Sequence, residues 1–204
     1  MLDILVEWQV DADGNVSGPV KLDGIDQILM SAANQNRDVV GSFHGNGQWE
    51  PFLFRSVAGH HIELGSLAGQ SSGSARGVND RSPDDGSLLA VGGSWGQRRS
   101  DSRAVLWSVG ASSAVAGPVD LGLPSAMVTR TRPLRTAGFV SAEATSINNE
   151  GWVVGWSERS DRTFFATLWR PSENGGDDGG DNGNGGDDGG NDDCRPHPRT
   201  GVCR

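Results

Sequence analysis

The sequence predicts an all-β fold of tandem four-stranded antiparallel units. They are arranged like propeller blades, incomplete or open, with a disordered acidic C-terminal tail. Three observations predict it. One phrase recurs, as "SAANQNRDVVGSFHGNGQWEPFLF" at residues 31–54, "GVNDRSPDDGSLLAVGGSWGQRRSDSRAVLW" at 77–107 and "SINNEGWVVGWSERSDRTFFATLW" at 146–169. Such self-similarity makes the fold an array of one small unit. The breaks between apolar runs hold Asp13-Gly14, Asn46-Gly47, Asp85-Gly86 and Glu150-Gly151; Asn-Gly and Asp-Gly supply the positive φ of tight hairpins. Helical periodicity is nearly absent, with residues 23–34 ("DGIDQILMSAAN") the one candidate longer than two turns.

The elements follow in chain order. Residues 7–24 align without a gap on residues 106–123, at a constant offset of 99. Trp8 meets Trp107, Val10 meets Val109, Val16 meets Val115, and Gly18-Pro19-Val20 meets Gly117-Pro118-Val119. The chain therefore starts in the middle of a unit, a partial copy spanning about residues 1–24. Complete or nearly complete units follow at about 25–69, 70–122 and 141–171. A full unit has an "A-x-x-I-N" segment, a "V-V-G-x-S" segment, an "A-x-L-W" segment and a "G-P-V-x-L-G" segment, and the last unit ends at Trp169 after the third. In the last unit Trp152, Val154 and Trp156 alternate onto one side, a strand signal. Four short strands in about 40–50 residues is the pattern of a propeller blade; a stacked β-solenoid has shorter repeats. Trp107, Trp169 and Phe54 end the same phrase and are expected at equivalent buried positions. Residues 123–140 interrupt the repeat as an insertion loop carrying Arg130, Arg132 and Arg135.

Three units and a fraction fall short of the four or more blades of a closed propeller. Strands are missing, copies associate, or the array is open. The free edges at its two ends invite a homo-oligomer. A chain that begins inside a repeat also points to sequence upstream of Met1.

Composition divides the chain at residue 172. Residues 173–193 are almost wholly Gly, Asp and Asn, with nothing apolar to offset the entropy of ordering, and read as a linker. Eight of the 26 acids lie there, so residues 1–172 hold 18 acids against 14 basic residues. That balance excludes a nucleic-acid partner, which needs a basic face. No run of about 18 apolar residues predicts a membrane span. Cys194 and Cys203 close a short loop at the end of the chain, residues 194–204, and read as a local disulfide or as two free thiols.

Residues with chemical potential are few. His60, His61 and Glu63 carry zinc-ligand types, but neighbours on a strand point to opposite faces; His44 and His197 stand alone. Asp80, Asp84, Asp85 and Asp101 could pair as glycosidase carboxylates or serve as turn caps. The acidic tail has calcium-ligand density but lacks the large apolar residue of a β-roll repeat and the spacing of an EF-hand. Asn15-Val16-Ser17 is a glycosylation triplet. No catalytic residue, cofactor site or metal site is assigned.

The combination of motifs resembles the HAF-repeat family, predicted extracellular repeat proteins found mostly in bacteria. Ala144-Thr145-Ser146-Ile147-Asn148 and Gly151-Trp152-Val153-Val154-Gly155-Trp156-Ser157 look like the first half of that repeat. Phe165-Ala166-Thr167-Leu168-Trp169, Arg103-Ala104-Val105-Leu106-Trp107 and Glu50-Pro51-Phe52-Leu53-Phe54 look like its namesake element, although its His is absent from all three. Extra residues at 81–85 and the insertion at 123–140 also depart from the pattern. The resemblance covers most of residues 1–171. It implies a secreted or cell-surface β-repeat protein and lends no catalytic residues. The expected function is a non-catalytic binding module for a protein or carbohydrate ligand. The alternatives are a propeller-type carbohydrate-active enzyme and a structural fragment of a longer surface protein.

Overall fold

In the computed structural model, residues 6–21, 28–55, 60–124 and 138–171 are described. Every regular element among them is a strand, apart from one 3₁₀ turn at Arg99–Asp101. Strands β1 (Val6–Val10) and β2 (Val16–Lys21) form a two-stranded sheet. Strands β3 (Ile28–Ala33), β4 (Val39–Gly45), β5 (Gln48–Arg55) and β6 (His60–Glu63) form a four-stranded meander. A second meander holds β7 (Ser72–Val78), β8 (Leu88–Trp95), β9 (Arg103–Val109) and β10 (Val115–Asp120). A third sheet holds β11 (Phe139–Ile147), β12 (Val153–Arg159) and β13 (Phe164–Trp169). All pairings are antiparallel.

The repeat is repeated in register, residue for residue. In the first meander Val39 pairs with Phe54; in the second Ala90 pairs with Trp107; in the third sheet Val153 pairs with Trp169. Two residues on, Gly41, Gly92 and Gly155 occupy the same position on the second strand. A Cβ at any of the three would overlap the backbone carbonyl oxygen of Leu29, Ser74 or Glu143 on the first strand. Each first strand carries a bulge just past that point, between Met30 and Ala32, Ala75 and Gly77, and Ala144 and Ser146. The bulge presses one backbone onto the other, and only glycine leaves room. The offset of 99 reappears in the pairing too. Val6–Lys21 and Val10–Val16 match Val105–Asp120 and Val109–Val115, and both hairpins shift register at the Gly-Pro pair.

The sheets stack face to face because each first strand is lined with small residues. Ala75 of β7 packs against Val40 and Leu53 of the preceding sheet, in a core that also holds Leu64, Leu88 and Trp107. Ala142 and Ala144 of β11 pack in the same way against Val91 and Ala104. Each Leu or Val side chain fully buried there contributes roughly 1.5–3 kcal/mol. Phe52 and Phe54 form a third cluster on the other face of the first meander, with Ile28, Val39 and Phe43 against them.

A second lock joins successive sheets. The Trp107 indole N–H donates to the Gly65 carbonyl at 3.1 Å, and that of Trp169 to the Gly122 carbonyl at 3.3 Å. Gly65 and Gly122 both follow the last strand of the preceding sheet and sit at φ 75° and 77°, a left-handed turn open to glycine.

The helix candidate at residues 23–34 is overturned from Ile28 onward. There the chain is β3, held by its ladder to β4, because tertiary pairing outweighs local periodicity; residues 22–27 lie outside the described part. Strand β11 begins at Phe139, inside the segment read as an insertion. Trp107 and Phe54 are buried, but Trp169 is only half-buried: among the described residues β13 is the edge of its sheet, without the fourth strand that flanks β5 and β9 in the two meanders. Among the described residues the array is open: β2 pairs with β1 alone and is not beside β13.

Candidate functional site

Each first strand ends in an asparagine: Asn34, Asn79 and Asn148. Its side-chain oxygen accepts the N–H of the residue that re-enters the next strand. The donors are Asp38 at 2.9 Å, Leu89 at 2.7 Å and Trp152 at 2.8 Å. The same two residues also bond through their backbones. An asparagine in this role closes a turn by mimicking a backbone acceptor. In the first and third sheets donor and acceptor are four residues apart; in the second they are ten apart. The middle turn thus contains six extra residues, including Arg81–Asp85, and they are placed at one end of the stacked sheets.

That loop ties the three turns together. Asp80 Oδ1 accepts from the Gln35 backbone N–H at 2.9 Å. On its other side, Asp80 donates its own N–H to Asn149 Oδ1 at 2.9 Å and accepts from Asn149 Nδ2 at 3.0 Å. These bonds hold the Asp80 carboxyl below the ordinary carboxylate range, the Asn149 side chain contributing most and the Gln35 N–H next. Arg81 donates from Nε to Asp38 Oδ2 at 2.8 Å and from Nη2 to Asp38 Oδ1, and its backbone N–H donates to Asn36. Asp38 is fully buried, so the bidentate pair is a fixed strut between sheets. The hydrogen bond to Asp38 raises the Arg81 pKa. Arg55, also buried, adds a second strut. Its guanidinium donates to the Gly110 and Ala111 carbonyls, each at 2.8 Å, and to that of Gly86 at 3.0 Å.

The loop walls a cleft of about 380 Å³. Asn79, Asp80, Ser82, Ser87 and Asn149 give it polar groups, and Pro83, Leu88 and Leu89 give it an apolar floor. Its chemistry is that of a hydrogen-bonding surface. The Asp80 carboxylate is committed on both oxygens, the Ser82 hydroxyl accepts from the Asp84 N–H, and no histidine lines the space. A second cavity, about 230 Å³, lies at the opposite end of β7 and has Glu50 and Glu63 in its wall.

The candidate carboxylates fall in two places, with Asp80, Asp84 and Asp85 in the middle turn and Asp101 elsewhere. Asp85 caps the Ser87 N–H at 2.9 Å, while Asp101 lies past the far end of β8. Eight residues of strand separate these two acids by about 25 Å, too far for any two-carboxylate mechanism. His61 pairs with Phe54 on one face of β6 and meets Phe43 edge-on at 5.8 Å, and its neighbour His60 is exposed. His44 stacks edge-on against Trp49 at 5.2 Å. Among the described residues no three His, Cys, Asp or Glu gather as a metal site. Asn15 is exposed in the β1–β2 turn and donates to Asp11 Oδ2 at 2.8 Å. Cys194, Cys203, His197, the acidic tail and the arginines Arg130, Arg132 and Arg135 lie outside the described residues.

Sequence reading missed the struts made by Asp38, Arg81, Asn149 and Arg55. The one available signal was the asparagine at the end of each first strand, which fixes where the turns must meet. Compared with known proteins, the chain matches no family model and no curated protein.

Proposed function

We propose that the repeat domain is a non-catalytic binding module of an extracellular or cell-surface protein. Its ligand, a protein or a carbohydrate, docks on the end of the sheets where the Asn34, Asn79 and Asn148 turns meet. One observation carries this reading. The six residues that distinguish the middle turn build a cleft of about 380 Å³, and its acid Asp80 is already held by neighbouring turns. Loops that vary on a fixed scaffold are where recognition resides. A carboxylate held as an anion by amide donors is a poor proton donor at neutral pH. The resemblance to HAF-repeat proteins supports the location.

The test is binding of the labelled full chain to a glycan array and to a panel of surface proteins. A variant lacking residues 80–85, which restores the four-residue spacing of the other turns, is compared with it. Binding without product release, lost in the shortened variant while the β circular dichroism spectrum is kept, is the expected result. Binding that survives loop removal overturns the assignment of the site. Turnover of a polysaccharide overturns the non-catalytic reading. Glu50 and Glu63, both in the wall of the smaller cavity, are the carboxylates that glutamine substitution would then probe.

A further inference from the structure

In both meanders a fourth strand flanks the strand that ends the repeated phrase, and the contact is the same in each. Leu53 of β5 faces Ile62 of β6, and Leu106 of β9 faces Val119 of β10. Two residues further on, the Leu64 N–H donates to the Pro51 carbonyl and the Leu121 N–H to the Ala104 carbonyl, both at 2.9 Å. A glycine with positive φ follows each leucine. The N-terminal hairpin keeps the rule: Glu7 of β1 faces Val20 of β2, and Leu22 stands two residues on. Strand β13 is the counterpart of β5 and β9 in the third sheet, since Leu168 faces Val154 as Leu53 faces Val40 and Leu106 faces Val91. Among the described residues no strand pairs with its outer edge. There Leu168 is 48% exposed, and Trp169 is half-buried where Trp107 is 0% exposed.

We infer that the outer edge of β13 accepts an extended segment of another protein, with the pattern Val/Ile-x-Leu-Gly, as an added antiparallel strand. Two observations choose this occupant. The first is the register that β6 and β10 share. In that register the β-branched residue of the segment lies opposite Leu168. Its leucine N–H donates to the Ala166 carbonyl, the counterpart of those of Pro51 and Ala104. The second is that β2, β6 and β10 are all paired already, with β1, β5 and β9. A second copy therefore has no such strand to lend without breaking one of its own sheets. In strand addition the main-chain bonds supply the affinity, and the side chains opposite the edge choose the sequence. The contact is one strand wide, so binding is weak and reversible. This edge is separate from the cleft at the asparagine turns, and neither site needs the other.

The experiment titrates a synthetic peptide of residues 114–123, AVAGPVDLGL, against the full chain from about 1 µM to about 1 mM, the range of weak interfaces. Two further peptides carry a backbone N-methyl group. One has it at Leu121, whose N–H has to reach Ala166; the other has it at Asp120, whose N–H alternates to the far side. The peptide has no tryptophan, so tryptophan emission reports on the chain, and it is followed in the wild type and in Trp169→Phe. Leu168→Asp is titrated once circular dichroism shows that its β spectrum is kept. The expected result is saturable binding with a blue shift of emission that Trp169→Phe abolishes. Methylation at Leu121 and Leu168→Asp each weaken it about ten-fold or more, while methylation at Asp120 leaves it nearly unchanged. No binding in that range, binding indifferent to the Leu121 methyl group or to Leu168→Asp, or a blue shift that survives in Trp169→Phe overturns the inference. Self-association of the full chain that blocks the peptide assigns the edge to a second copy and overturns it as well.

Discussion

At the scale of single residues, Trp107 combines full burial with a satisfied indole N–H, while Trp169 makes the equivalent bond from a half-buried position. Trp107→Ala is expected to lose on the order of 3–5 kcal/mol. Trp169→Ala is expected to lose less than about 2 kcal/mol, because much of its surface already meets water. Urea titrations of the two variants check the order, and equal losses would contradict it. Arg55→Met should cost about 3 kcal/mol, since it leaves three carbonyls without a charged donor. Gly92→Ala has no low-cost solution either, because the new methyl group meets the rigid backbone of Ser74 rather than a side chain. A loss of at least about 1–3 kcal/mol is expected in the same titration.

At the scale of elements, the turns are held by carboxylates. Asp11, Asp80, Asp85 and Asp161 each accept hydrogen bonds that lower their pKa, from Asn15, Asn149, Ser87 and Thr163 first of all. A folded pKa below the unfolded one means that the unfolded chain binds more protons, so the contribution is complete above about pH 4–5. It is lost as pH falls through the lowered folded values. Thermal melts should therefore be flat from about pH 7 to 5 and fall below about pH 4. Asp80→Asn should make that acid limb shallower, and an unchanged limb would remove Asp80 from the account. The strands of these elements were legible because alternation and Asn-Gly turns are local signals. The bonds of Asp80 and Arg81 were not, since they join residues 43 to 69 positions apart and depend on how sheets stack. Residues 28–33 misled for a related reason. "ILMSAA" has no strong local preference, and only its ladder to β4 decides it. The tryptophan row of β12 read correctly as a strand. Its exposure depends on what stacks on that face, which no local pattern records.

At the scale of the molecule, the compact unit spans Met1–Pro171. A chain ending at Pro171 is expected to melt at the same temperature as the whole, as scanning calorimetry can show; a drop of several degrees would assign residues 172–204 a structural role. The two tryptophan bonds between sheets point one way along the chain. Trp107 reaches back to Gly65, and Trp169 reaches back to Gly122, each donating to a sheet that precedes it in sequence. During synthesis the acceptor therefore always leaves the ribosome before its donor. For the tryptophan bonds each new sheet finds its acceptor already made, whereas buried Arg55 and Asp38 of the first meander find their partners only when the second has been synthesised.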